Sequence, residues 1–205
     1  MQNNMFEYEN QYKNLGLVAG LDEAGRGPLA GPVVVAVVIM PLDDDKIIDG
    51  INDSKKLTAK KREILFEKII NTALAYSIVE VDETTIDDIN ILAATKLGAK
   101  QGVENLKIKP KVVLTDALNF ECDVPLESII KGDAKSYNIA AASILAKVHR
   151  DNLMCKVDTV FPEYKFAKHK GYGTKEHIEA LKKYGPSPIH RRTFIKNFVD
   201  VSDAK

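Results

Sequence analysis

Leu21-Asp22-Glu23-Ala24-Gly25-Arg26-Gly27-Pro28-Leu29-Ala30-Gly31-Pro32 joins two apolar runs, residues 15–21 and 33–40, and the way it connects them decides the architecture. The spacing Gly25-x-Gly27-x-x-Ala30 formally matches a dinucleotide-binding turn, which must lead from a strand into a helix whose N-terminus receives a pyrophosphate. Here Pro28, Gly31 and Pro32 interrupt any helix, and the β-branched run that follows favours another strand. The segment therefore predicts a glycine-rich turn between two strands. Asp22 and Glu23 fall where the first of them ends.

Downstream, strands and helices alternate. Thr58 caps a predicted helix whose apolar pairs Leu65/Ile69 and Phe66/Ile70 recur at i,i+4, with Lys60, Lys61 and Lys68 on the wetter side. Residues 75–81 are rich in β formers, and residues 82–106 read as one long helix with acids in its opening turn, where the helix dipole favours them. Residues 111–115 predict a short strand ending at Asp116, followed by an irregular connection to Lys131-Gly132-Asp133. Residues 136–157 predict a helix in which Ala140, Ala141 and Ala142 permit close approach while Ile144, Leu145 and Val148 face a core. Residues 174–184 predict an amphipathic helix. Hairpin-like strands followed by strand–helix alternation imply an α/β fold with a mixed β-sheet flanked by helices, not a purely parallel sheet. Residues 1–14 lack periodicity and read as an extension or a frayed helix, 15–198 as a single domain, and 199–205 as a tail.

A chain of 205 residues, 45% hydrophobic and 28% charged, is long enough for one well-buried domain and unlike a disordered or collagen-like one. Its longest apolar run, residues 33–40, is far short of the roughly 20 residues that a membrane-crossing helix needs. Met1-Gln2-Asn3-Asn4-Met5 has neither the basic nor the apolar region of a secretion signal, so a cytoplasmic location is expected. Cys122 and Cys155 are accordingly read as lone buried thiols. The formal net charge is zero, yet from Lys165 to Lys196 nine Lys and Arg meet only Glu176 and Glu179, a surplus of +7 that the remainder of the chain cancels. A basic helical region, about 160–198, thus faces an acidic remainder.

Asp22, Glu23, Asp116 and Asp133 all sit at element ends, and such carboxylates suit hard divalent cations. Each also suits an ordinary turn or cap. Successive strand side chains point to opposite faces, so Asp22 and Glu23 share a site only if the strand twists or bulges there. Two unit negative charges about 4 Å apart repel by roughly 4 kcal/mol at an effective dielectric near 20, so a gathered set either retains protons or binds Mg2+ or Mn2+. His149, His169, His177 and His190 lack paired ligand spacing and the cysteines form no C-x-x-C, which argues against zinc. Neither a Gly-x-Ser-x-Gly elbow nor a phosphate-binding loop is present.

The stretch from Asp22 to Val33, then Asp53-Ser54-Lys55-Lys56-Leu57, Asp116-Ala117-Leu118, Lys131-Gly132-Asp133, the block from Ala140 to Asp151 and His169-Lys170-Gly171-Tyr172-Gly173-Thr174 together resemble, in order, the blocks of the bacterial ribonuclease HII family, the type 2 ribonucleases H. The resemblance runs from about residue 15 to 194. It implies a ribonuclease H-like sheet with a C-terminal helical segment, and a monomeric endonuclease acting on RNA–DNA hybrids and on single ribonucleotides embedded in duplex DNA, leaving a 5′-phosphate. It maps the catalytic, metal-binding carboxylates onto Asp22, Glu23, Asp116 and Asp133. Asp151 competes for the fourth place, but Asp133 matches the Lys-Gly-Asp block, and Asp151 has a neighbouring base as a partner, on Arg150's side of the helix or Lys147 at i−4. Two ions roughly 3.5–4 Å apart would hold the scissile phosphate, activate water and stabilise the leaving 3′-oxygen. The resemblance further maps ribose recognition onto the backbone of Gly25, Arg26 and Gly27, and contact with the next sugar onto Tyr172. Lys55, Lys56, Lys168 and Lys170 would bind phosphates without reading bases. Two rivals keep the scaffold and change the function: a non-catalytic duplex-binding protein, and a transposase- or integrase-like nuclease indifferent to ribose.

Overall fold

Strands β1 (Val18–Ala24) and β2 (Val33–Ile39) form the antiparallel pair on either side of the glycine-rich turn, and no helix begins between them. The computed structural model describes residues 5–200; positions 1–4 and 201–205, parts of the expected extension and tail, lie outside the described residues. Strand β3 (Ala75–Val81) pairs antiparallel with β2, β4 (Val112–Asp116) parallel with β1, and β5 (Leu126–Ile129) parallel with β4. The result is a mixed five-stranded sheet of order β3-β2-β1-β4-β5. The helices are α1 (Glu7–Tyr12), α2 (Ala59–Thr72), α3 (Glu83–Ile89), α4 (Ile91–Glu104), α5 (Tyr137–Val160), α6 (Phe166–His169), α7 (Lys175–Tyr184) and α8 (Arg192–Ile195).

Every side chain of β2 is buried because both faces of the sheet are covered. Val34, Ala36 and Val38 pack with Leu65 and Ile69 of α2 and with the alanine-rich stretch of α5, while Val35, Val37 and Ile39 pack with Ala99 and Val103 of α4. A strand wet on one face would alternate; this one, covered on both, is continuously apolar. Small residues set the spacing. At Gly20 of β1 a Cβ would sit 2.1 Å from the Asn138 carbonyl carbon, so α5 rests directly on the strand backbone there.

The structure refines or departs from the sequence expectations at several points. The single helix over 82–106 is two, α3 and α4, broken at Asn90, whose φ of 68° ends one helix while its side chain caps the next by accepting from the Leu92 and Ala93 N–H groups. The connection after Asp116 contains an edge strand, β5, too short and half-exposed to show a pattern. Residues 7–12 form α1, whose Glu9 is fully buried and accepts at Oε1 from Ser136 Oγ (2.6 Å) and the Asn138 N–H (2.9 Å) at the start of α5. Burial raises the Glu9 pKa, opposed by these hydrogen bonds. Both cysteines are free; Cys122 is partly buried, and Cys155 is exposed, not buried as expected, because it lies on the solvent side of α5. Among the described residues no helix is long and apolar enough to cross a membrane.

Candidate active site

Parallel pairing places two of the acids side by side. Leu21 of β1 stands opposite Thr115 of β4, so the next residues, Asp22 and Asp116, emerge together at the same end of the sheet. Beyond β5 the chain turns through Lys131 at φ 58°, which directs the Gly132 N–H to Asp116 Oδ1 (2.9 Å) and brings Asp133 to that end as well. Ala117, directly after Asp116, also has positive φ (51°), a strained setting for a residue with a Cβ.

No bulge brings Asp22 and Glu23 together: Asp22 pairs with Ala36 and Glu23 with Val35 in unbroken register. Asp22 lies on the α5 face, where Ser143 hydrogen-bonds it, and its Oδ1 accepts from the Glu23 N–H (2.8 Å). Glu23 projects the other way, toward Arg26 (3.4 Å). Both nonetheless line one cavity of about 390 Å3 beyond the strand end, together with Gly25, Arg26, Gly27, Lys55 and Tyr172. A second cavity of about 370 Å3 is lined by Asp116, Asp133, Lys55 and Lys56, and Lys55 is the wall common to the two.

The electrostatics tie the four acids together through Asp116. Burial, then the charge of Glu23 and to a smaller degree that of Asp116, hold the Asp22 carboxyl well above its ordinary pKa. Glu23 is raised by burial and by Asp116, against the pull of Arg26 and Lys55. Asp133 is raised by burial and then by Asp116 and Asp53. Burial works against the Lys55 ammonium, yet Asp133 (3.7 Å), Asp22, Asp53 and Asp116 together keep its pKa above the usual lysine value. The donor set is all carboxylate oxygen and carries more negative charge than Lys55 and Arg26 balance, which fits a hard divalent cation. The oxygens are not already gathered on one point: among the described residues no three acid, His or Cys side chains form a ready cluster. Closing on an ion requires rotation of carboxylates such as that of Asp22, now turned to its neighbour's amide.

The remaining expected residues separate into two groups. Tyr172, partly exposed, stands beside the turn, its ring 3.7 Å from where a Cβ on Gly27 would lie. Lys168 and Lys170 are outside the cavity lining: Lys168 pairs with Glu176 (2.6 Å), and the Lys170 amine is held by the Ala167 carbonyl and by Cys155 (3.1 Å). Asp151 pairs with Lys147 (2.8 Å). Sequence reasoning gave no role in the site to Arg150 and Arg191, which are buried against the turn. Arg150 shares a helical stripe with the buried Ser143, Ala146 and Met154, a periodic signal that was available; Arg191 was counted with the basic surface and carried none.

Behind Tyr172 lies a chain of imidazoles. The Ser187 N–H donates to His190 Nδ1 (2.9 Å), which leaves His190 Nε2–H to donate to His177 Nε2 (3.0 Å) and His177 Nδ1–H to donate to the Tyr172 carbonyl (2.9 Å). Burial, reinforced by neighbouring histidines, lowers the pKa of His177 to about 4 and of His190 to about 3. The unfolded chain therefore takes up protons below about pH 6.5 that the folded one refuses, and stability falls as pH drops through this window. We expect thermal scans to show a loss on the order of 2–4 kcal/mol between pH 7 and 5 from this pair. His177→Asn, which removes one titrating ring, should give a shallower slope; parallel curves for the two proteins would contradict the assignment.

A mixed sheet of this order, with acids at the ends of adjacent parallel strands, has the architecture of a ribonuclease H-like fold. The family model for ribonuclease HII matches residues 19–197. A ribonuclease HII from Caldicellulosiruptor bescii is 55% identical over 201 residues, 97% of each chain. The ribonuclease H2 structure from Pyrococcus horikoshii OT3 superposes with a TM-score of 0.70 at 33% identity, covering 86% of this chain and 93% of that one. The RNase HII structure solved in a complex with PCNA from Archaeoglobus fulgidus gives 0.75 at 27% identity, covering 89% and 97%. The chain belongs to the ribonuclease HII family: it is a type 2 ribonuclease H, a metal-dependent endonuclease acting on RNA–DNA hybrids.

Proposed function

We propose that this enzyme cuts the RNA strand of RNA–DNA hybrids and also cuts on the 5′ side of single ribonucleotides embedded in duplex DNA, leaving 3′-hydroxyl and 5′-phosphate ends. The observation that carries this reading is the meeting of acids and ribose-sized contacts in one cavity: Asp22 and Glu23 share its wall with the Gly25-Arg26-Gly27 turn and Tyr172. Asp22, Glu23, Asp116 and Asp133 would hold two Mg2+ or Mn2+ ions. When bound, such ions polarise the scissile phosphate, lower the pKa of the attacking water and offset charge on the leaving 3′-oxygen. The chain's own part is positional. Glycines at 25 and 27 let the backbone approach a sugar closely, which supports selection by the 2′-hydroxyl, the group that separates ribose from deoxyribose at one site. Tyr172 offers an apolar face to the adjoining sugar. Lys55 and Lys56 stand at the cavity rim and neutralise phosphates of either strand, so binding is sequence-independent. The enzyme would work as a monomer in the cytoplasm.

A duplex with one ribonucleotide, incubated with Mn2+ or Mg2+, should be nicked once, and replacing that ribonucleotide by its deoxy counterpart should abolish the nick. Equal cutting of both duplexes would favour a ribose-indifferent nuclease. A mobility shift without any nick would favour a duplex-binding protein.

A further inference from the structure

Arg150 and Arg191 are the two largest fully buried side chains, and among the described residues neither forms an ion pair. Burying a guanidinium without a carboxylate costs several kcal/mol unless its N–H groups are otherwise satisfied. Here the satisfaction comes from backbone carbonyls, and they belong to the turn that carries the ribose contacts. Arg191 donates from Nη2 to the Gly25 carbonyl (2.6 Å), from Nη1 to that of Arg26 (2.9 Å) and from Nε to that of Gly31 (2.9 Å). Arg150 donates to the Ala30 and Pro32 carbonyls (both 3.0 Å) and to the Lys170 carbonyl (2.9 Å), two residues before Tyr172. The pair thus ties the turn and the segment leading to Tyr172 to one buried centre.

The planarity of the trans peptide turns this into a statement about the cavity. Within one peptide unit the C=O and the following N–H point in opposite directions, so carbonyls of Gly25 and Arg26 drawn inward onto Arg191 leave the N–H groups of Arg26 and Gly27 directed away from it. Fit at the turn is tight: a Cβ at Gly25 would lie 2.0 Å from Arg150 Nε. Burial and the neighbouring Arg150 lower the Arg191 pKa to about 9, so its guanidinium is still charged at neutral pH and bonds carbonyls with charge-assisted strength.

We propose that Arg191, supported by Arg150, is the positioning residue for ribose selection: it fixes the peptide planes of the turn so that the amides of Arg26 and Gly27 are preset for a 2′-hydroxyl. This rests on the ribose reading of the turn given above. The test is a ratio of affinities, measured without divalent metal by fluorescence anisotropy, for a duplex with one ribonucleotide over the all-DNA duplex of the same sequence. A partly unfolded sample lowers both affinities equally and leaves the ratio alone, so a purely structural role does not move it. Arg191→Lys keeps the charge but cannot span three carbonyls, and it should reduce the ratio at least fivefold while all-DNA affinity stays within twofold. Arg150→Lys should reduce it in the same direction. An unchanged ratio in a folded Arg191→Lys protein overturns the proposal, as does failure of both variants to melt cooperatively, because the clamp would then have no role separable from stability. A wild-type ratio of one refutes the ribose reading itself and is distinguishable from both.

Discussion

Asp116→Asn is expected to slow cleavage of a duplex bearing one ribonucleotide by at least about 1,000-fold, a loss on the scale of removing a charge that helps hold catalytic metal, while affinity for the uncut duplex changes little. The asparagine keeps an oxygen for the Gly132 N–H, so the local backbone has no reason to move. What it removes is the charge felt by Asp22, Glu23 and Asp133. Those three carboxyls have raised folded-state pKa values; the stability they contribute is complete below the unfolded carboxylate range and is lost as pH rises through the folded values. At neutral pH without metal they are therefore a cost, and the variant should melt at a higher temperature than the wild type. Adding Mn2+ should stabilise the wild type and leave the variant almost unaffected. Undiminished cleavage by the variant would remove Asp116 from the site.

Gly20→Ala is expected to destabilise the fold by about 3 kcal/mol, at the upper end of overpacking costs. The new methyl would lie 2.1–2.4 Å from main-chain atoms of Asn138 and Ile139, and a helix backbone cannot rotate away as a side chain can. Relief requires α5 to lift from β1, which also moves Ser143 from Asp22. For a chain of this length the melting temperature should fall by roughly 6–12 °C, and an unchanged melting temperature would show that α5 does not sit as described.

The centre of the sheet was legible because its chemistry is local. Pro28, Pro32 and the valines after them forbid a helix, and the cap read at Thr58 marks a helix start that the structure bears out. Features set by distant contacts were not legible. Asn90 ends one helix and caps the next within a stretch whose composition is helical throughout. Strand β5 is defined by pairing with β4, not by its own four residues. The acids could be named one by one, yet their common dependence on Asp116 arises from the parallel pairing of β1 with β4. The basic surplus near the C-terminus misled most: Arg191 is turned into the interior, and Lys165 and Lys168 share Glu176. A guanidinium facing carbonyls and one facing solvent look alike in sequence.

That Asp116 and its three neighbours form one metal centre is tested most directly by anomalous diffraction from crystals soaked in MnCl2. Manganese peaks are predicted within coordination distance of the Asp22, Glu23, Asp116 and Asp133 carboxylates, with Asp22 Oδ1 released from the Glu23 amide. Manganese bound elsewhere, with those four carboxylates as they stand here, would contradict it.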